Sequence, residues 1–234
     1  MGTRKIKTQV QAIIREPSME DILDRLRPLP AKAVINALFF AICSSDELVH
    51  WHAVRAMGVT IARLADEEIE EARIVMRRLL WSLNDESGGI GWGAPESMAE
   101  AMYHHKVLAR EYIHMLVSYT KEDGKEEWQD GNYLEHQVLQ RGLIWGIGRL
   151  ATRRKSELLQ NSIMDSLPPY AYSTDATIRG LTAWALGRLG EEAARPVLED
   201  LLGDENPVRL YEHDTIVTST VDALAQQALT RLQG

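Results

Sequence analysis

The sequence predicts an all-α protein, a right-handed α-α superhelix of about five stacked helix pairs. Three observations predict it: apolar residues recur at steps of three and four, no convincing run alternates apolar and polar residues, and similar segments return. With 45% apolar and 26% charged residues, the 234-residue chain has an ordinary globular composition, which excludes a wholly disordered chain. We expect a single domain over 1–234, with an N-terminal helical cap at 1–30 and repeats over 31–234.

The first elements are predicted from apolar stripes and end signals. Two short helices, over 3–15 and 18–27, would form the cap. The pattern Ser44-x-x-Glu47 matches a capping box that opens a helix over 46–64.

The next predicted helix, over 67–83, carries one apolar stripe with acidic residues in its first turn and arginines later, an order that suits the helix dipole. Asp66 is its candidate N-cap. A further helix is expected to start near Pro95, since proline is favoured in a first helical turn.

The C-terminal half also predicts helices. One spans 134–150 and another spans 155–167, which stops at Pro168-Pro169. A third spans 175–189 and ends at Gly190, a favourable residue just beyond a helix end.

An internal repeat supports the stacked arrangement. Trp145-Gly-Ile-Gly-Arg-Leu matches Trp184-Ala-Leu-Gly-Arg-Leu, so Gly148 and Gly187 lie 39 residues apart, and Gly58 lies 90 residues before Gly148. Because an interior glycine costs a helix about 1 kcal/mol relative to alanine, we expect these glycines to mark close approaches between helices. The two tryptophans, at equivalent positions, are expected in the core.

These repeats resemble a known family. Residues 190–209 are similar to the HEAT-like repeat of phycobilisome lyases and their relatives, with the pattern Gly190-x-x-x-Ala194-x-Pro196-x-Leu198-x-x-Leu201-x-x-Asp204-x-x-x-Val208-Arg209. Asp175-x-x-Ile178-Arg179 fits the same family, a weaker copy has His50 in place of arginine, and Tyr211 to Thr220 are extra residues. The resemblance implies a helical repeat fold but no activity, because such arrays are usually adaptors and only occasionally enzymes.

Residues 81–96 do not fit the repeat. They read Trp-Ser-Leu-Asn-Asp-Glu-Ser-Gly-Gly-Ile-Gly-Trp-Gly-Ala-Pro-Glu and resemble a segment of an uncharacterised group of bacterial HEAT-like proteins. Clustered glycines permit positive φ or a close backbone approach, and free N–H groups in such a loop can bind an anion. Two interpretations remain open: a ligand or partner contact, or a rigid loop that places Trp92 between repeats.

The candidate binding site is the predicted concave face around this loop. In stacked helix pairs the second helices line that face, which would bring the starts of helices 46–64 and 134–150 close to the loop. Trp51 and Trp92 would be anchors, and acidic residues would pair with a basic group of a partner. The candidate residues are Glu47, His50, Trp51, Asn84, Asp85, Glu86, Gly88, Gly89, Gly91, Trp92, Gly93, Glu96, His136, Arg141 and Arg179.

No catalytic residue, metal ligand or cofactor is predicted. Glu47/His50 and Glu111/His114 have the spacing of helical di-iron ligands, but a complete site would need two further inward carboxylates. The single cysteine, Cys43, lies in an apolar run, which predicts a core residue in a reducing compartment.

The net charge of the chain limits which kinds of partner it can bind. The formal net charge of −8 disfavours nucleic acid, and no apolar stretch reaches the roughly 20 residues that cross a bilayer. The sequence therefore favours a non-enzymatic cytoplasmic scaffold that binds a protein or peptide around loop 84–96. The alternative is a cofactor- or small-molecule-handling protein, or a lyase-like enzyme, that uses the same concave pocket.

Overall fold

The computed structural model describes residues 3–84, 91–122 and 133–233. This part of the chain confirms the all-α repeat fold and adds one β-hairpin. The helices are α1 (Thr3–Ile13), α2 (Met19–Leu26), α3 (Ala31–Ala41), α4 (Glu47–Glu67), α5 (Ile69–Trp81), α6 (Ala94–His104), α7 (Lys106–Ser118), α8 (Gln137–Gln160), α9 (Ile163–Ser166), α10 (Ala176–Leu189), α11 (Arg195–Asp200) and α12 (Val221–Leu232). Two 3₁₀ helices, Pro168–Tyr172 and Glu192–Ala194, and the strands β1 (Pro207–Glu212) and β2 (Thr215–Thr220) complete the order.

The chain divides into two compact units. Unit 1 comprises residues 1–109 and 213–215, and unit 2 comprises 110–212 and 216–234. None of the described helices is both long and apolar enough to cross a membrane.

In unit 1, helices α1 and α2 form where the sequence predicts the cap. Ile6, Val10 and Ile13 give α1 its buried stripe, which packs on α3. Helix α2 starts after Ser18, whose hydroxyl accepts a hydrogen bond from the Asp21 N–H at 3.2 Å. Both helices therefore bury an apolar face within unit 1.

The next two helices start within two residues of their predicted starts, but both predicted capping interactions are wrong. Asp46, rather than a Ser44 capping box, caps α4: its Oδ1 accepts from the Val49 N–H at 3.2 Å. Helix α4 then continues to Glu67, so Asp66 lies inside it and caps nothing. Helix α5 starts after Glu68, whose side chain makes no capping bond.

Gly58 marks the close approach of α4 to α6. A Cβ atom added at Gly58 would lie 2.7 Å from the backbone carbonyl carbon of Glu100, closer than real Cβ contacts allow. The glycine therefore lets the two helix backbones touch, as its place in the repeat predicts.

Glycines also mark close contacts between helices in unit 2. An added Cβ at Gly148 would collide with the ring of Trp184, and one at Gly187 would lie 2.6 Å from the Cβ of Ala228. Trp145 and Trp184 are each 3% exposed, which confirms their core position. Glycines one repeat apart thus allow successive helices to pack closely against each other.

Helix α8 joins what the sequence predicts as two helices. It runs through the expected gap at 151–154 with a local kink at Arg154, where φ is −127° and ψ is 27°. Pro168 and Pro169 begin a 3₁₀ helix, and Gly190 ends α10 with φ +60°, as predicted.

The expectation of no strands is wrong at 207–220. β1 and β2 pair through a two-residue turn in which His213 and Asp214 have φ of 51° and 58°, the hairpin geometry that matches strand twist. Val208 and Leu210 point into unit 2, and the Trp145 Nε1–H donates to the Tyr211 carbonyl at 2.9 Å. The residues that are extra to the repeat therefore form the hairpin.

Candidate functional site

Trp92 sits on a tightly fixed turn before α6. Gly93 has φ +76°, and an added Cβ there would lie 2.7 Å from the Ile42 carbonyl oxygen. A Cβ at Gly91 would lie 2.5 Å from the Ser82 carbonyl oxygen. Both glycines are thus required by close packing, while the Trp92 side chain remains 39% exposed.

His50 on α4 lies beside this turn. Its Nδ1 is 2.6 Å from the Ile42 carbonyl oxygen, which only accepts, so Nδ1 carries the proton in the neutral ring. Nε2 then presents its lone pair and lies 3.9 Å from Glu96 Oε1. The ring contacts Trp51 edge to face, with centroids 5.1 Å apart.

Glu96, in the first turn of α6, is the most unusual member of the site. It is 7% exposed, and its Oε2 has no hydrogen-bond partner among the described residues. Burial raises the pKa of the Glu96 carboxyl, although the nearby His50 acts in the opposite direction. A buried acceptor without a partner is costly, which makes the Glu96 carboxyl the least satisfied polar group of this site.

Cys43 contradicts its predicted place in the core. It is exposed, because α3 ends at Ala41 and the chain turns outward after the buried Ile42. Its Sγ lies 3.7 Å from the carbonyl oxygen of Trp92. Burial and the charge of Glu96 raise the pKa of the Cys43 thiol.

Two further candidates of unit 1 lie at helix ends. Glu47 is half-buried in the first turn of α4, and Asn84 is exposed after α5. The other four lie outside the described residues: Asp85, Glu86, Gly88 and Gly89.

The three candidates of unit 2 have intramolecular partners. The His136 ring caps α8 by accepting from the Val138 N–H at 3.2 Å. Arg141 Nε donates to Asp175 Oδ2 at 2.9 Å, and Arg179 Nε donates to Asp204 Oδ2 at 2.7 Å. These contacts give all three side chains a structural role, and their binding role stays a prediction.

A buried charge cluster in unit 1 was not anticipated. Arg55 donates from Nη1 to Glu100 Oε2 at 2.7 Å and from Nε to Asp214 Oδ1 at 2.9 Å. Glu100 is fully buried, and His104 Nε2 lies 3.3 Å from its Oε2. Burial lowers the pKa of Arg55, but the two carboxylates outweigh it and the net direction is upward. No sequence pattern connects positions 55 and 214.

Comparison with known proteins agrees with this fold. Residues 178–204 match the family described as PBS lyase HEAT-like repeat, which confirms the resemblance in that segment. No curated protein matches the chain. The structure thus shows an all-α repeat fold in which residues 178–204 match the HEAT-like repeat.

Several solved structures of designed proteins resemble it. An engineered protein is 16% identical with a TM-score of 0.54, covering 100% of this chain and 97% of its own. Computationally designed armadillo repeat proteins for modular peptide recognition are 15% identical with a TM-score of 0.51, covering 95% and 98%. A designed armadillo repeat protein in complex with the peptide (KR)4 is 17% identical with a TM-score of 0.50, covering 96% and 98%. At these identities the likeness shows the fold alone.

Proposed function

We propose that this protein is a non-enzymatic cytoplasmic scaffold that binds a protein or peptide on the surface formed by Trp92, Trp51, His50 and Glu96. One observation carries the proposal: a closely packed turn presents the partly exposed Trp92 just before Glu96, whose buried carboxyl has an oxygen without a partner among the described residues. Exposed aromatic side chains on a rigid support are typical anchors of protein interfaces.

Electrostatics favours a basic partner. The chain carries a net charge of −8, and the buried Glu96 carboxyl has one oxygen without a partner among the described residues. An arginine or lysine would complete this acceptor and keep the Glu96 carboxyl ionised. Among the similar structures, the designed armadillo protein bound to (KR)4 shows that this fold can hold a basic peptide.

The test titrates a fluorescein-labelled (KR)4 peptide into the protein and follows anisotropy at low salt. Trp92→Ala should weaken binding by about tenfold or more, because an anchoring tryptophan contributes roughly 2 kcal/mol or more. The melting temperature should change little, since the Trp92 side chain is already partly exposed. Trp81→Ala is the matched control, because Trp81 is 61% exposed in the same unit but lies outside the turn.

The proposal fails if (KR)4 binds equally well to the Trp92→Ala variant and the parent protein. It also fails if Trp92→Ala lowers the melting temperature strongly while binding survives, since the turn would then be purely structural.

The exposed thiol favours a second candidate function at the same surface. Cys43 Sγ lies 3.7 Å from the carbonyl oxygen of Trp92, so a small molecule that contacted the exposed thiol would also meet this surface. A cofactor- or small-molecule-handling protein, or a lyase-like enzyme, would use this arrangement. An absorbance scan and intact mass of the purified protein test it: an added chromophore or mass on Cys43 supports it, and a bare polypeptide supports the scaffold.

A further inference from the structure

Unit 2 contains a cavity of 560 Å³ between the end of α7, the start of α8 and the segment that follows α9. Its volume falls within the range of about 300–1,000 Å³ that is usual for small-ligand pockets. None of the residues that form the Trp92 surface line it. The lining includes Lys121, Glu122, Tyr133, Asp165, Tyr170 and Tyr172.

Three tyrosines supply the aromatic part of the lining. The rings of Tyr133 and Tyr170 have centroids 6.5 Å apart and planes inclined by 37°. The Tyr133 hydroxyl accepts from Gln140 Nε2 at 3.1 Å, and the Tyr170 hydroxyl donates to the Thr120 carbonyl at 3.3 Å. These bonds hold the phenol groups in place and so fix the orientation of the rings.

Tyr172 completes the aromatic lining. Its side chain is 63% exposed, and its hydroxyl donates to Asp200 Oδ2 at 2.7 Å. Aromatic faces attract cations electrostatically through the ring quadrupole, most strongly when the cation is removed from water.

The charges of the lining have the sign that suits a cation. Glu122 and Asp165 both line the cavity, and neither forms an ion pair with another described residue. Lys121 is the one basic residue among the described lining residues. Burial raises the pKa of Tyr170, and the charges of Tyr133 and Glu122 raise it further, so this phenol stays neutral at physiological pH.

We propose that this cavity binds an organic cation, a guanidinium or alkylammonium group seated against the tyrosine rings and paired with Glu122 and Asp165. The ring faces supply cation–π attraction, and the two carboxylates supply charge-assisted hydrogen bonds. Such a group reaches the cavity either as a free small molecule or as an arginine or lysine side chain of a peptide.

Calorimetric titration of the full chain tests the proposal with matched probes. N-acetylarginine amide carries the cation, and N-acetylcitrulline amide has nearly the same shape without the charge. The arginine compound should bind at least about tenfold more tightly, because the carboxylates and the rings both recognise charge. Equal binding of the two compounds would overturn the proposal, and so would the absence of heat from both the arginine compound and the free guanidinium compound agmatine.

Agmatine distinguishes the two sources of the cation. It is a free guanidinium compound without a peptide group, so tight binding of agmatine with weak binding of N-acetylarginine amide supports a free small molecule. The reverse order supports a peptide side chain. Either order is consistent with a cation site.

Substitutions test the residues of the cavity. Asp165→Asn and Tyr172→Leu should each weaken binding of the tighter cation by about threefold or more. Lys121→Met should strengthen it, because it removes the opposing charge. Glu199→Gln is the control: it removes one exposed acid from unit 2 but does not touch the cavity, so affinity should not change.

Equal weakening by Asp165→Asn and Glu199→Gln would show a general charge effect and contradict the proposed site.

The proposed cation site can be tested independently of the proposed scaffold surface. Trp92→Ala should leave cation binding unchanged, so loss of one function does not imply loss of the other.

Discussion

At the scale of single residues, Glu96 combines two demands that conflict. Folding buries its carboxyl and leaves one oxygen without a partner among the described residues, although an ionised carboxylate is most stable when it is hydrated or hydrogen-bonded. A binding surface gives a reason for this cost, because a donor from the partner would satisfy the oxygen. The unbound protein should therefore be measurably less stable for carrying it.

Glu96→Gln should stabilise the unbound protein at alkaline pH. The pKa of Glu96 is raised in the folded state, so its favourable contribution is present at low pH and is lost as pH rises through the folded pKa. We expect the variant to gain about 1 kcal/mol over the parent at pH 8 and less at pH 5, measured by urea unfolding.

Glu20→Gln, at an exposed position of α2, provides the control and should have little effect at either pH. A Glu96→Gln variant that loses stability at pH 8 would contradict this prediction.

Gly58 is a second residue for which the structure predicts whether a substitution raises or lowers stability. Alanine is intrinsically better than glycine in a helix by about 1 kcal/mol, but at this position its Cβ meets the backbone of Glu100. Backbone cannot move aside as a flexible side chain can, so packing outweighs propensity.

We expect Gly58→Ala to lose about 1–3 kcal/mol of unfolding free energy in urea titrations. Val59→Ala, on the same helix at a half-buried position, is the comparison and should cost less. A net gain in stability for Gly58→Ala would mean that α4 and α6 separate at little cost.

At the scale of the elements, the start of α10 depends on one carboxylate with two tasks. Asp175 Oδ1 accepts from the N–H groups of Thr177 and Ile178 at 2.8 and 3.2 Å, and its Oδ2 accepts from Arg141. The first task caps the start of the helix, and the second ties α10 to α8.

Replacing Asp175 separates these tasks. Asp175→Asn keeps a capping oxygen and loses the charge, for a cost of about 1 kcal/mol, whereas Asp175→Ala loses both and should cost about 2–3 kcal/mol. Asp46→Ala, which removes the exposed cap of α4, should cost about 1 kcal/mol. Chemical denaturation measures all three, and equal losses for the two Asp175 variants would assign no value to the capping oxygen.

Element boundaries also show where sequence reasoning succeeds and fails. Gly190 predicts the end of α10 because one residue supplies the whole signal, a backbone conformation with positive φ. The capping box at Ser44 fails because Asp46, two residues later, also offers a capping oxygen and takes its place. The hairpin is missed because its turn, His213-Asp214, lacks the glycine that usually identifies a two-residue hairpin turn.

At the scale of the whole molecule, repeat spacing predicts the architecture, because stacking needs small residues at equivalent places in successive repeats. Gly58, Gly148 and Gly187 are seen to fill that need. The candidate site is less predictable. The contact of Cys43 with Trp92, and the pairing of Arg55 with Asp214, join positions far apart in sequence that share no periodic signal.

One cooperative domain remains a prediction for the full chain. The chain passes from unit 1 to unit 2 within helix α7, which is continuous from Lys106 to Ser118, and a helix resists division at an interior point. Differential scanning calorimetry should therefore give one transition with equal calorimetric and van't Hoff enthalpies. Two resolved transitions would show that the units unfold independently.

The arginine–aspartate pairs of unit 2 link neighbouring repeats in one order. Arg141 holds the carboxylate at which α10 begins, and Arg179 on α10 holds Asp204 beyond α11. Loss of Arg141 therefore weakens the start of α10, and loss of Arg179 releases the segment after α11, while the helix that carries each arginine keeps its own N-cap. Lesions in these pairs would have a polarity, because each lost arginine loosens a segment that follows its own helix and leaves the preceding helix unaffected.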